Sequence, residues 1–261
     1  MNEPNTNPPV LNAGGTSPWP NSTPQAPDPA DQEPIAGFMA AVEAILRQPG
    51  RVINHLRQPG GSGLALALLA AALGGAAIYG FVVGTFSGGV QLWAAPLKIA
   101  LGLMISAVIC LPSLYIFACL GGSRAHLSEI AGMLAGVLAL MTVLLLGFAP
   151  VAWVFSQSTD SVAAMGALHL LFWIIATAFA LRLLTNGFRQ SQSRSLAGVR
   201  VWMVILVLVM VQMTTALRPL VGTAPTLLPT EKKFFAAHWA ECLGLDEAGA
   251  NRNHANNTPR D

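Results

Sequence analysis

Ionisable side chains inside apolar sequence are the first candidates for chemistry in this chain. Between Leu64 and Leu217 the only carboxylates are Glu129 and Asp160, and both fall in short polar gaps between apolar stretches. Ion-coupled transport normally uses an intramembrane group that changes its charge, most often a carboxylate. His169 is the titratable side chain near the middle of such a stretch, and Arg182 is a cation near its end. We treat His169 and Arg182 as a candidate intramembrane polar site.

Several chemistries can be compared at this site. His169 could relay a proton or bind a ligand, or it could be a neutral histidine hydrogen-bonded inside a helical bundle. A membrane-embedded serine hydrolase would need Ser113 or Ser87 close to His169. The missing acids exclude an aspartyl dyad, and the HExxH zinc motif is absent. In the tail, His238 and Cys242 lie one helical turn apart, but two ligands do not make a metal site. We therefore predict no cofactor, no metal site and no catalytic residue.

The elements that position these residues are long and apolar. Hydrophobic residues make up 53% of the chain and charged residues 10%, a composition typical of a polytopic membrane protein. About 20 residues are needed for each crossing. The predicted all-α fold is a bundle of about five transmembrane helices over 61–220, with apolar stretches at 64–86, 96–120, 130–155, 162–185 and 198–217.

Two prolines and two cations inside these stretches carry further expectations. Pro112 and Pro150 are expected to kink their helices rather than break them, because neighbours in a bundle can satisfy the freed carbonyls. Lys98 and Arg182 lie close to predicted helix ends, so their side chains are expected to extend to the lipid headgroups.

The segment before the first crossing has two parts. Residues 1–34 contain nine of the eighteen prolines and few aliphatic residues, which predicts a disordered tail. Residues 35–60 predict an amphipathic interfacial segment, since apolar residues recur at helical spacing beside arginines. The alternative, a connector packed on the bundle, is compatible with it. The apolar positions of the first helical face are Ile35, Phe38, Met39, Val42, Ile45 and Leu46.

Basic residues near the helix ends predict the orientation. They cluster before the first crossing and in the second and fourth connections, which places the N-terminus in the cytoplasm and, after five crossings, the C-terminus outside. We expect the chain in a bacterial cytoplasmic membrane, with the lipid bilayer as a partner and without nucleic acid. The candidate membrane-surface contacts are Arg47, Arg51, Arg57, Arg189, Arg194 and Arg200.

The C-terminal tail, 221–261, contains one predicted amphipathic helix over 231–243, capped by Thr230. It could lie on the outer membrane interface, dock on the bundle or bind a partner. Its candidate interface residues are Phe234, Phe235, His238, Trp239 and Leu243.

Small residues in the bundle indicate close packing of helix backbones. The pairs Gly80 with Gly84 and Gly132 with Gly136 form GxxxG patterns. They suit packing inside the bundle or between two copies of it.

The arrangement resembles the Yip1-like group of five-span membrane proteins. The likeness rests on Leu120-Gly121-Gly122-Ser123-Arg124 and on Pro150 near the far end of the following span. The segment 216–222 also resembles an ending found in uncharacterised bacterial multispanning proteins. The resemblance implies a bundle without enzymatic activity that organises other membrane components.

Three functions follow in order of preference. The first is a non-catalytic scaffold or accessory subunit of a membrane complex, with membrane protein partners. The alternative is a transporter or permease subunit in which kinks at Pro112 and Pro150 line a pathway. The third is the serine hydrolase considered above.

Overall fold

The computed structural model describes residues 35, 37–58, 60–87, 89–159, 162–190 and 195–216. Within them all regular secondary structure is α-helical, as predicted. The helices are α1 (Phe38–Arg47), α2 (Pro49–Leu56), α3 (Gly61–Ser87), α4 (Gln91–Leu120), α5 (Leu127–Ser156), α6 (Val162–Gln190) and α7 (Ala197–Ala216). The predicted tail at 1–34, the helix at 231–243 and Arg194 lie outside the described residues.

Four helices are long and apolar enough to cross a membrane, which supports a multi-pass membrane protein. Their apolar parts are Gly61–Phe86, Leu92–Leu120, Leu127–Ser156 and Ala164–Arg189, with 26 to 30 residues each. The fifth predicted stretch also forms a helix, α7, with a shorter described apolar part, Ala197–Met213. The helices continue through Pro112 and Pro150, so neither proline breaks its helix.

Buried small and aliphatic side chains lie around almost the whole circumference of α5. This helix is therefore the centre of the bundle. It packs between α3 and α6, while α3 also packs on α4, and α7 packs on α4. Glycines allow the backbones of neighbouring helices to approach each other closely. A Cβ added at Gly75 would lie 3.1 Å from Cβ of Thr142, and one added at Gly80 would lie 2.5 Å from Cα of Pro96.

Helices α1 and α2 form a hairpin that packs into one end of the bundle, against α3, α5 and α6. A Cβ added at Gly132 or Gly136 would lie 2.9 Å from Leu56 Cδ2 or 3.6 Å from Ile45 Cδ1 respectively. This GxxxG pattern therefore packs against the hairpin of its own chain. Gly136 is nine residues inside α5, so Ile45 reaches about 13 Å along the central helix.

The buried face of α1 differs from the predicted one. Ala41, Ala44 and Ile45 are buried, whereas Phe38 and Met39, which the spacing placed on the same face, are 49% and 74% exposed. The small alanines let the hairpin approach α3 and α5 closely. An apolar stripe looks the same in sequence whether it meets lipid or protein, so spacing alone did not distinguish the two sides.

Candidate functional site

His169, the predicted mid-membrane titratable residue, is hydrogen-bonded to a tyrosine. Its Nδ1 atom lies 2.7 Å from the hydroxyl of Tyr79 on α3. The two rings meet edge to face, with centroids 5.6 Å apart and planes at 90°. The other ring nitrogen, Nε2, is buried and has no hydrogen-bond partner within the described part of the chain. The pair therefore fixes the ring of His169 between helices and leaves one polar atom in an apolar surrounding.

Arg182 does not join His169. It lies thirteen residues further along α6, about 20 Å away along the axis. Its side chain is exposed, and its guanidinium carbon lies 5.3 Å from the ring centroid of Phe179. A cation over an aromatic face at this distance is a favourable contact. The two predicted polar residues thus occupy separate levels of one helix.

Lys98 is buried, at 5% exposure, rather than extended to the headgroups as we expected. The expectation took the second span to start at Pro96, which would put Lys98 at the helix border. The helix instead begins at Gln91, so Lys98 lies seven residues, or about 10 Å, inside it.

Ser113 is bonded within its own part of the bundle. Its hydroxyl donates to the carbonyl of Cys110, 2.8 Å away, and accepts from the indole nitrogen of Trp202 on α7 at 3.0 Å. The same indole N–H donates to the Cys110 carbonyl at 2.9 Å. Ser113 lies seven residues from the end of α4, whereas His169 lies seven residues from the start of α6. The structure does not bring Ser113 and His169 together as a hydrolase would require.

The two prolines considered for a transport pathway lie at the surface of the described bundle. Pro112 on α4 and Pro150 on α5 are both exposed. Their exposure places both prolines at the surface of the described bundle rather than in its buried interior.

The described part of the bundle contains a groove of about 810 Å³ that sequence analysis did not anticipate. It lies between α3, α4 and α5, where α3 packs closely on both neighbours and these two have few contacts with each other. The residues that line its inner part are apolar, and those at its mouth are polar. The deeper lining includes Leu69, Met104, Ala107, Leu111, Leu134, Ala135 and Leu138, and the mouth includes Arg57, Gln58, Ser62, His126, Ser128 and Glu129.

Arg57 and Glu129 give the groove mouth charges of both signs. The Nη2 atom of Arg57 donates to the carbonyl of Gly187 on α6 at 2.7 Å, which connects the α2–α3 turn to the end of that helix. Burial lowers the pKa of Arg57, and the negative charge of Glu129 acts in the opposite direction. The hydrogen bond to Gly187 fixes the position of the Arg57 guanidinium. Its positive charge lies within electrostatic reach of the Glu129 carboxylate.

The other predicted surface cations that the structure describes are exposed, except Arg51, which is half-buried. Arg47 forms an ion pair with Glu43 at 3.0 Å, and Arg51 donates to Gln48 Oε1 at 2.9 Å. Arg189 and Arg200 are exposed near the end of α6 and the start of α7.

Backbone contacts place the basic connections at one end of the bundle. The amide of Ser195 donates to the carbonyl of Gly121 at 3.3 Å, so the connection after α6 adjoins the turn after α4. The bond from Arg57 to Gly187 joins the α2–α3 turn to the same region. Three connections with arginines in or beside them therefore meet at this end.

Comparison with known proteins gives no relative from which a function could be transferred. No family model, curated protein or solved structure matches this chain. His169 is distinguished in the sequence by its isolation among apolar residues, whereas no feature of the sequence distinguishes Tyr79. Nothing in the sequence links two residues that are 90 positions apart.

Proposed function

We propose that this protein is a non-catalytic integral membrane scaffold or accessory subunit that holds two polar tails on a rigid five-span bundle. The observation that carries the proposal is the docked α1–α2 hairpin. Ile45, Ile53 and Leu56 are at most 6% exposed and hold the hairpin, which follows the N-terminal tail in the sequence, against α3, α5 and α6. Partners that bind the tail would then be connected to the bundle through a docked segment.

The proposal includes five membrane crossings rather than four, with α7 as the fifth. Helix α7 has 20 residues, which is about the length of one crossing. Trp202, which is fully buried, attaches it to α4 by the indole hydrogen bonds to Cys110 and Ser113. With α7 across the membrane, the C-terminal tail emerges on the side opposite the α1–α2 hairpin.

The orientation follows from charge. The end that carries Arg57, Arg124 and Arg189 faces the cytoplasm by the positive-inside rule, in a bacterial cytoplasmic membrane. The exposed apolar side chains of Phe38, Met39 and Leu46 then reach the lipid at this surface, near Arg47. The amphipathic segment in this proposal uses one face for the bundle and another for the membrane.

The resemblance to Yip1-like proteins agrees with such a role. The Gly-Gly turn on which it rests is formed between α4 and α5, and Gly122 has a φ of 81°, a conformation that favours glycine. We propose that the chain organises membrane protein partners as that group is expected to do.

Quantitative affinity purification tests the proposal. The full-length protein is compared with a variant lacking residues 1–34, a variant lacking residues 230–245, and a control in which residues 1–34 are replaced by a Gly/Ser linker of equal length. We expect each deletion to remove specific membrane partners while membrane insertion is retained, and the linker control to behave like the first deletion. Retention of the same partners in both deletions would refute the scaffold.

A further inference from the structure

The groove between α3, α4 and α5 leaves apolar side chains without protein cover. Leu66 on α3 and Val108 on α4 both line it and are 68% and 62% exposed. Both lie in helices long enough to span a membrane. Exposed aliphatic groups at that depth are covered by hydrocarbon, so the groove opens laterally to lipid.

The depth of the groove suits one leaflet. Measured from the helix ends at the mouth, Leu69 lies eight residues along α3, Leu138 eleven along α5 and Met104 sixteen along α4. At the helical rise these positions are about 12 to 24 Å deep. One leaflet including its headgroup region is about 20 to 22 Å thick, half of the total thickness of the bilayer. An acyl chain that enters from the surface therefore reaches the deeper lining residues.

The chemistry of the mouth selects the headgroup. Arg57 supplies a positive charge and Glu129 a negative one, and Gln58, Ser62 and Ser128 are exposed polar groups beside them. A phosphate is complementary to the guanidinium, and a primary ammonium is complementary to the carboxylate. A purely anionic headgroup would meet repulsion from Glu129.

We propose that this groove binds a glycerophospholipid with a phosphoethanolamine headgroup, with its phosphate toward Arg57, its ammonium toward Glu129 and one acyl chain along Leu66 and Val108. The groove volume of about 810 Å³ is within the range of about 300 to 1,000 Å³ that is typical of small-molecule sites, so the groove holds part of the lipid, including one acyl chain. The proposal is independent of the scaffold function, because lipid occupancy and partner retention are measured separately.

Native mass spectrometry of the full-length protein tests this site. The protein is released from nanodiscs that contain equimolar phosphatidylethanolamine, phosphatidylglycerol and phosphatidylcholine. We expect one retained phosphatidylethanolamine. Val108→Trp should lower its occupancy at least about tenfold, since displacing two methylene contacts already costs about one decade in affinity.

The adjacent residue gives a matched control. Ile109 is 59% exposed and does not line the groove, so Ile109→Trp should leave occupancy within about twofold. Leu66→Trp blocks the same groove from α3. It replaces Val108→Trp as the test variant if Val108→Trp does not fold.

Headgroup selection is tested by Glu129→Gln, which should reduce the preference for phosphatidylethanolamine over phosphatidylglycerol by about tenfold. Glu43→Gln, which removes an exposed acid outside the groove, should leave that preference unchanged. Four results would overturn the proposal: no retained lipid, preferential retention of phosphatidylglycerol, a protein segment in the groove instead of lipid, or equal occupancy in the groove and control variants.

Discussion

The hydroxyl of Tyr79 on α3 and the Nδ1 atom of His169 on α6 lie 2.7 Å apart and join two helices that both pack on the central helix α5. In an apolar bundle such a bond fixes how the helices are arranged around α5, because either group alone would be an unpaired polar group in hydrocarbon. The pair therefore has a structural consequence that can be measured without knowing any ligand.

A double-mutant cycle with Tyr79→Phe and His169→Leu measures this bond. We expect a coupling free energy of about 0.6 kcal/mol and at most about 1.7 kcal/mol, the average and the maximum measured for hydrogen bonds between membrane helices. Equilibrium unfolding in mixed detergent and sodium dodecyl sulfate micelles gives the free energies. As a control, Tyr115→Phe alters an exposed tyrosine and should change stability by less than about 0.5 kcal/mol. Additive effects of the two substitutions would show that the side chains are not coupled.

Two glycines of α3 give opposite predictions. A Cβ at Gly80 would lie 2.5 Å from the backbone of Pro96, whereas one at Gly74 would have nothing within 4 Å. Gly80→Ala should therefore separate α3 from α4 and destabilise the protein by about 1 to 3 kcal/mol. Gly74→Ala should be neutral or stabilising by up to about 1 kcal/mol, because alanine favours the helix. Thermal unfolding of the two variants in the same detergent measures this difference in stability. Equal Tm values would contradict the close approach of α3 and α4.

Adjacent residues of α1 test whether the hairpin is held by protein. Ile45 is 1% exposed against α5, and Leu46 is 46% exposed. Ile45→Ala should cost about 2 to 5 kcal/mol of stability and accelerate hydrogen exchange across α1 and α2. Leu46→Ala should leave exchange unchanged in detergent. A larger effect of Leu46→Ala than of Ile45→Ala would indicate that lipid, not the bundle, holds this segment.

The apolar runs predicted the long helices of the described residues, with ends correct to within about five residues, because a long run of apolar residues favours one continuous helix. The start of α4 was misplaced because Pro96 was taken as a boundary, although a proline in the second turn of a membrane helix is tolerated. That error led to the wrong placement of Lys98. The depth of a charged side chain depends on the helix start, which hydropathy gives only to within a few residues.

The contacts between helices could not be predicted in the same way. In a bundle where every span is apolar, hydropathy does not say which helices are neighbours, and nothing in it joined Tyr79 to His169. The groove is likewise a property of packing, because it arises where α4 and α5 diverge on α3. The isolation of His169 in apolar sequence was the one signal that pointed to a buried polar pair.

The location of the C-terminus is the most direct test of the account, in which a five-span bundle holds its two tails on opposite sides of the membrane. Paired reporters, one active only in the cytoplasm and one only outside it, are fused after Asp261 and, separately, before Met1. We predict that the C-terminal fusion is active only as the external reporter and the N-terminal fusion only as the cytoplasmic one. Cytoplasmic activity at both ends would mean four crossings, and it would contradict the account.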